Sequence, residues 1–319
     1  MKIQILGSTL ALLLISTWVF ATSQQSIDEV RAVSANEKIS LDVQRGSVEI
    51  KAASDNQFRV SGKLDEQAEG FTLDSAKGFT KFSVKMPKQL IESDQSKSNG
   101  SALVITVPVG SNIEFSGVNV NVTASGIQGS SLINTVNGDI NALRLTNSVT
   151  LSTVNGKIDS EALQGQITLK TVNGEIDDKT SEGRISVESI NGSIELESNP
   201  TELMVTVVNG EVDLVLNGTQ QVALSSVNGD IELDLHNQVA PTIKGSSVSG
   251  KFELALPAQL DAQVALKTSA GGSIKNTLTN DKPNRAKYGP ASSLTYSAGN
   301  GSGNIEINTV SGRIEIKKH

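Results

Sequence analysis

The chain has 319 residues, a net charge of −7 and no cysteine. The absence of cysteine excludes disulfides, thiolate metal sites and lipid attachment through an N-terminal cysteine. The acidic composition lacks the clustered basic residues of a nucleic-acid-binding surface, so we expect no nucleic-acid partner. Aromatic residues make up only 3% of the sequence, and a core of Val, Ile and Leu is typical of regularly stacked strands.

The first 21 residues have the pattern of a secretory signal peptide. Lys2 provides a minimal charged region, residues 10–20 are largely apolar, and Val19-Phe20-Ala21 resembles a cleavage site. Because the apolar stretch is short for a membrane span of about 20 residues, we predict cleavage after Ala21 rather than a retained anchor. The mature chain, 22–319, is then expected to be exported, either periplasmic or at the cell surface, with no transmembrane segment.

Residues 22–115 form an N-terminal region with the pattern of a β-rich segment. Apolar and polar residues alternate around 39–43, 48–50 and 103–107, which predicts strands. The polar stretch at 87–101 predicts an exposed loop. We interpret the region as continuous with, or capping, the repeat domain that follows.

Residues 116–319 are dominated by one motif, Thr-Val-Asn-Gly. It occurs at 135–138, 153–156 and 171–174, with variants at 189–192, 207–210, 226–229, 247–250 and 309–312. From Asn137 to Asn209, the motif's Asn recurs every 18 residues. Self-similarity at a fixed period indicates a solenoid or another array of repeats. Positions are counted below from this Asn, or from the equivalent Ser. It has the number zero and is called the corner position.

Aliphatic residues recur at positions −6, −4, −1 and +3, as in Ile167, Leu169, Val172 and Ile176. Position −2 is usually Thr or Ser, and position +2 is polar or charged, as in Glu175. Two geometries fit these columns. Asn-Gly between alternating strands is typical of a two-residue hairpin, which predicts an antiparallel hairpin array. That array places the aliphatic −1 residue on the same face as the charged +2 residue, and leaves the −1 column unexplained.

A parallel β-solenoid with coils of about 18 residues accounts for the −1 column if the chain bends at the motif. Positions −6, −4, −1, +3 and often +5 then point inward, and Asn stacks on Asn. We therefore predict an all-β parallel β-solenoid over 116–319, with a loop insertion near 276–304. The antiparallel hairpin array stays open as the alternative.

The sequence resembles a family of bacterial candidate adhesins, which are β-strand-repeat proteins of unknown function. The resemblance lies in Leu103-Val104-Ile105-Thr106-Val107-Pro108-Val109-Gly110, the Thr-Val-Asn-Gly-x-Ile series and the ending at 301–314. It covers the chain from about residue 41 to the end. It implies a secreted, envelope-associated β-solenoid and provides no catalytic residues.

The sequence contains no motif for nucleophilic catalysis or phosphate binding. Its two histidines, His236 and His319, lack the neighbouring spacing of metal ligands. We expect His236 in a loop, and we assign no catalytic residue, no cofactor and no histidine-based metal site.

Position +4 carries a column of acidic residues, which we call the acidic column. Its central members are Asp159, Asp177, Glu195, Asp213 and Glu232. In a solenoid these carboxylates would lie about 4.8 Å apart on the outer surface. We interpret the column as a solvated face that keeps the protein soluble. The alternative hypothesis is a strip that binds divalent cations, which prefer carboxylate oxygens.

The function predicted from these features is that of a non-enzymatic structural or adhesin-like module at the cell envelope, whose partners are unidentified envelope proteins or glycans. One alternative is a periplasmic regulatory partner in envelope maintenance. Another is a polysaccharide-cleaving enzyme, for which Asp177 and Asp178 beside Asp159 are the nearest carboxylate pair.

Overall fold

The computed structural model of the chain describes residues 24–87 and 99–319. The predicted signal peptide and most of the predicted loop at 87–101 lie outside the described residues. Within these two ranges the chain forms 23 strands and no helix. The prediction of an all-β fold is confirmed.

Equivalent segments of successive repeats pair in parallel and in register. Val149 pairs with Ile167, and Ile158 with Ile176. The parallel pairing shows that the antiparallel hairpin array is wrong for the central repeats, and the fold is β-solenoid-like. Each repeat contributes one segment before the corner to a first face of the stack and one segment after it to a second face.

The central strands fall into two groups. Seven strands belong to one face each: β8 (Ser131–Asn137), β10 (Thr146–Asn155), β12 (Gln164–Asn173) and β16 (Thr242–Ser249) to the first, and β9 (Ile140–Leu143), β11 (Ile158–Glu161) and β17 (Lys251–Leu256) to the second. Four longer strands contribute to both faces: β7 (Asn112–Ser125), β13 (Ile176–Asn191), β14 (Ile194–Asn217) and β15 (Gln221–His236). Strands β7, β14 and β15 pass through a corner position, whereas β13 runs from the second face of one repeat to the first face of the next.

The remaining strands form the two ends of the stack. The N-terminal end contains β1 (Ser26–Ala32), β2 (Lys38–Ala53), β3 (Gln57–Lys63), β4 (Gly70–Ala76), β5 (Phe79–Lys85) and β6 (Ser101–Pro108). The C-terminal end contains β18 (Ala262–Thr268), β19 (Ser273–Asn276), β20 (Asn284–Arg285), β21 (Ser292–Ala298), β22 (Gly303–Thr309) and β23 (Arg313–Lys318).

The core lies between the two faces and consists of stacked aliphatic columns. Positions −6, −4 and +3 point inward as predicted, and Ile167, Leu169 and Ile176 are at most 1% exposed. Burial of one such side chain stabilises the fold by roughly 1.5–3 kcal/mol. A single repeat cannot cover both of its apolar edges, so the core exists only because neighbouring repeats stack.

The prediction that position −1 points inward is wrong. Val136 and Val154 at this position are 39% and 37% exposed, whereas Thr135 and Thr153 at position −2 are buried. The side chains therefore keep their strand alternation up to position −1, and the change of phase takes place at the Asn-Gly corner itself.

The corner explains why the inward position −2 carries a hydroxyl. Oγ1 of Thr153 donates to the carbonyl oxygen of Gly138 at 3.1 Å, and Oγ of Ser226 donates to that of Gly229 at 3.2 Å. These bonds give backbone carbonyls at the corner a side-chain donor, although Oγ1 of Thr171 at the same position has no hydrogen-bond partner. The glycine is required by close packing, because a Cβ on Gly174 would lie 1.9 Å from the carbonyl oxygen of Gly156.

At the N-terminal end, the order of strands in space differs from their order in the sequence. Strand β2 pairs in parallel with β7 on one side and with β5 and β6 on the other. Strands β3 and β1 extend the second face beyond β6 in antiparallel fashion, and β4 extends the first face beyond β5. The N-terminal region is therefore continuous with the repeat stack through β2.

The C-terminal end has the corresponding arrangement. Strand β22 lies between β16 and β18, and strand β23 lies between β17 and β19. The last repeat in the sequence is thus inserted between two earlier segments. The predicted loop insertion at 276–304 is wrong in part, because it contains β21, which pairs antiparallel with β18.

Candidate interaction surface

A row of asparagine side chains runs along the corner of the stack. Nδ2 of each Asn donates to Oδ1 of the Asn in the preceding repeat; for Asn173 and Asn155 the distance is 2.9 Å. The row contains Asn119, Asn137, Asn155, Asn173, Asn191, Asn209 and Asn228, and Ser249 donates to Oδ1 of the last. We call it the asparagine ladder, and it confirms the predicted stacking of Asn on Asn.

An aliphatic stripe runs directly beside the ladder at position −1. Its members are Val118, Val136, Val154, Val172, Ile190, Val208, Val227, Val248 and Val310. Seven of them are 37–48% exposed, and Val172 and Val208 are half-buried. The ladder and the stripe together are called the corner strip. Nine repeats present an aliphatic group there, and seven of them also present the amide group, because they bend at the same position; Ser249 and Ser311 replace the asparagine in the other two.

The acidic column lies on the outer side of the second face. Strand pairing places Asp159 beside Asp177, Asp177 beside Glu195, and Asp213 beside Glu232. The five predicted residues therefore share one surface. Among the described residues, however, no three side chains of this column bring ligand atoms close enough together to hold one metal ion. The cation-binding hypothesis stays a prediction.

Lysines neutralise both ends of the acidic column. Nζ of Lys157 lies 3.4 Å from Oδ2 of Asp177 and 3.6 Å from Oε1 of Glu175. At the other end, hydrogen bonds from Lys251 and Lys317 lower the pKa of Glu253. These pairs reduce the repulsion between stacked carboxylates at the two ends.

The middle of the column has no such compensation. Within the described part of the chain, no ion pair involves Glu195, Glu211 or Asp213. Partial burial and the neighbouring carboxylates of Glu211, Glu232 and Glu195 raise the pKa of Asp213. The centre of the second face is consequently a patch of uncompensated negative charge.

The carboxylate pair considered for catalysis is not formed. Asp177 and Asp178 are consecutive strand residues and point to opposite sides of the second face. Asp178 is completely buried, and hydroxyls of Ser160, Ser181 and Ser198 donate to its carboxylate at 2.6–2.7 Å. Burial raises the pKa of Asp178, against the opposite effect of these hydrogen bonds. The residue is thus removed from any groove that a polysaccharide could enter.

The sequence profile of the Toastrack DUF4097 family matches residues 35–317. The chain belongs to this family. A search of curated proteins finds no match. The match spans strands β2–β6 of the N-terminal end as well as the motif repeats, in agreement with their continuous stacking. The resemblance to candidate adhesins seen in the sequence is confirmed.

Several solved structures are similar to this Toastrack chain. A candidate adhesin from Bacteroides fragilis is 14% identical, with 93% of this chain and 99% of that chain covered and a TM-score of 0.35. A candidate adhesin from Parabacteroides distasonis is 12% identical, with coverages of 93% and 98% and a TM-score of 0.40. A candidate lipid-binding protein from the same species is 14% identical, with coverages of 72% and 97% and a TM-score of 0.42.

One group of side chains in the Toastrack chain was missed by reasoning from the sequence. His236 is the last residue of β15 rather than a loop residue, and it lies with Asp234 and His319 in one cluster. The sequence contained a signal for this. Both histidines stand eight residues after a corner position, Asn228 and Ser311 respectively, and therefore occupy one column of the stack.

Proposed function

We propose that the chain is an exported, non-enzymatic interaction module of the bacterial cell envelope, and that the corner strip contacts its partner. Export is supported by the signal-peptide pattern of residues 1–21. The burial of Asp178 supports a role without catalysis, because the nearest carboxylate pair does not face a common groove. In the described ranges, no helix is long and apolar enough to cross a membrane.

The observation that carries the proposal is the repeated chemistry of the corner strip. Contiguous exposed apolar side chains are typical of interaction surfaces, and amide groups provide both hydrogen-bond donors and acceptors. Nine aliphatic residues, one per repeat, form a stripe of roughly 40 Å at the usual strand spacing. Such a surface suits an extended partner with its own repeat, such as a glycan chain or the edge of an envelope protein.

A matched pair of double variants tests the role of the strip. Val154→Ser with Ile190→Ser removes apolar surface from the strip, whereas Leu132→Ser with Met204→Ser removes exposed apolar surface from the outer side of the first face. The mature wild-type chain is incubated with envelope extract and with a panel of envelope polysaccharides. We expect retention of the wild type and of the first-face variant, and loss of retention for the strip variant. Equal retention of both variants, or cleavage of a polysaccharide, contradicts the proposal.

Localisation tests the cellular part of the proposal. Cell fractionation combined with protease treatment of intact cells shows whether the mature chain is accessible from outside. Digestion in intact cells is the result expected of a surface adhesin. If the chain is found only in the periplasm, adhesion to external surfaces is untenable, and a regulatory partner in envelope maintenance takes its place.

A further inference from the structure

Two histidines and one aspartate meet at the C-terminal end of the second face, in a place unrelated to the corner strip. Asp234 lies in β15, His236 ends the same strand, and His319 follows β23. Strand β17 lies between β15 and β23, so the two histidines come from strands that are not direct neighbours. Their meeting therefore needs a gap in the intervening strand.

The intervening strand provides this gap. Opposite Asp234, strand β17 carries Ala255, a small side chain that is buried. β17 ends at Leu256, and the chain turns away from the stack at Pro257, which stands in the column of the two histidines. With no long side chain between them, the rings of His236 and His319 approach to 3.9 Å between centroids, at an interplanar angle of 48°.

The distances between the polar atoms are close to those between ligands around one ion. Nε2 of His236 lies 3.4 Å from Oδ2 of Asp234, and Nδ1 of His319 lies 3.0 Å from Oδ1 of Asp234. All three residues offer a ligand atom within 4.8 Å of the others. Metal–ligand bonds of 2.0–2.2 Å in tetrahedral geometry place neighbouring ligand atoms about 3.3–3.6 Å apart.

One carboxylate oxygen of Asp234 is buried without a hydrogen-bond donor. Oδ1 of Asp234 is buried and accepts no hydrogen bond, although Nδ1 of His319 is 3.0 Å away. The separation is within ion-pair range, but the two atoms do not form a hydrogen bond. Buried carboxylate oxygens are normally satisfied, and a cation held between the oxygen and the ring nitrogens would satisfy this one.

We infer that Asp234, His236 and His319 bind one divalent d-block cation of the Zn²⁺ or Ni²⁺ class. Imidazole nitrogen favours these ions, whereas Ca²⁺ and Mg²⁺ prefer sites made of oxygen alone. Three protein ligands leave one coordination position for water or an external ligand. The nearby cation of Lys317 is paired with Glu232 and Glu253, so its charge is largely compensated.

The bound ion would connect β15 to the end of β23 across β17. The last repeat is held between two earlier segments, and the ion adds a link that does not depend on strand pairing. An ion that binds the folded chain and not the unfolded chain raises the melting temperature in proportion to the logarithm of its concentration. The site therefore makes the stability of the C-terminal end dependent on the metal.

Calorimetry with ZnCl₂ on the untagged mature chain tests the inference, with thermal unfolding as a second readout. We expect one Zn²⁺ per chain and a rise in melting temperature. Replacing one ligand, by Asp234→Asn, His236→Ala or His319→Ala, should weaken binding by about tenfold or more. Glu211→Gln is the matched control, because it removes an exposed carboxylate of the same face that lies outside the cluster and does not pair with Lys317, and it should bind as the wild type does.

Two results overturn the inference. The first is the absence of Zn²⁺ and Ni²⁺ binding by the wild type. The second is equal Zn²⁺ affinity of the wild type and the triple variant of Asp234, His236 and His319, which would assign binding to the acidic surface at large. Circular dichroism verifies that the variants fold, and the visible spectrum of bound Co²⁺ reports nitrogen ligation independently of affinity.

Discussion

Oγ of Ser198 donates a hydrogen bond of 2.6 Å to Oδ2 of Asp178, inside the stack of aliphatic columns. Asp178 occupies position +5, where the following repeats carry Leu196 and Leu214. A carboxylate thus stands where the sequence pattern places an aliphatic side chain, and three serine hydroxyls surround it. This buried carboxylate makes the stability of the core depend on pH.

The fold should become less stable relative to an Asp178→Asn variant as the pH rises. Burial raises the pKa of Asp178, so the unfolded chain releases this proton at a lower pH than the folded chain does. Stability is then lost as the pH increases from about 4 through the raised pKa. Denaturant unfolding at several pH values should show the variant to be more stable at about pH 8 and the two proteins to converge near pH 4.

Asp159→Asn is the control for this comparison, because Asp159 lies on the outer surface. Its stability should stay within about 0.5 kcal/mol of the wild type. A constant difference between Asp178→Asn and the wild type at all pH values would show that the carboxylate is not the titrating group.

The asparagine ladder should contribute measurably to stability. Asn173→Ala removes two hydrogen bonds, to Asn155 at 2.9 Å and from Asn191 at 3.0 Å. We expect a loss of about 1 kcal/mol in the free energy of unfolding, since the bonds are solvent-exposed. Asn119→Ala, at the end of the ladder, removes a single bond and should lose about half as much. Equal losses for the two variants would show that the ladder bonds do not determine the effect.

The outward direction of position −1 predicts that a charge is tolerated there. Val172 is half-buried at the corner, so Val172→Asp should lower the free energy of unfolding by about 1 kcal/mol or less. Leu169→Asp places the same charge at a fully buried position and should prevent folding, because an unpaired buried carboxylate is strongly unfavourable. Comparable damage from both variants, measured by thermal unfolding, would mean that position −1 points inward after all.

The centre of the acidic column should be a site of mild like-charge repulsion. The pKa of Asp213 is raised by burial and by three neighbouring carboxylates, so the ionised form is unfavourable in the folded state. Asp213→Asn should increase stability above pH 5 by a few tenths of a kcal/mol at low salt, and by less at high salt, because exposed charges are screened.

Glu253→Gln in the same column should have the opposite effect and lower the stability, because Lys251 and Lys317 then lose their carboxylate partner. Unfolding at two salt concentrations measures both effects.

A calorimetric titration with Ca²⁺ tests the cation-binding hypothesis for the column. No heat and no rise in melting temperature would exclude it.

The sequence was sufficient to predict the parallel stacking, because the period of 18 residues aligns Val149 with Ile167 and Ile158 with Ile176. It was insufficient at the corner. The pattern predicts that an aliphatic residue such as Val154 is buried, but the bend leaves both it and the adjacent Asn155 outside. The direction of a side chain next to a bend depends on where the alternation is interrupted, and the residue type alone does not determine this.

Two other features needed the three-dimensional structure for different reasons. In the sequence, Asp178 is a candidate for catalysis because it is acidic. Its burial follows from the inward direction of position +5 and the presence of Ser160, Ser181 and Ser198. His236 and His319 share a column, but they meet only because the last repeat is inserted beside β17. A repeat pattern determines the register of neighbours and does not determine the order in which the final segments stack.

The inserted last repeat has a consequence for the order of folding. Strands β18 and β21 pair with each other. Among the described strands, pairing connects them to the rest of the stack only through β22, and β19 is connected through β23. Residues 262–298 therefore cannot dock onto the stack by strand pairing until residues 303–318 have joined it. The C-terminal end completes its strand pairing last. Loss of the final repeat by proteolysis would also release residues 262–298 from the stack.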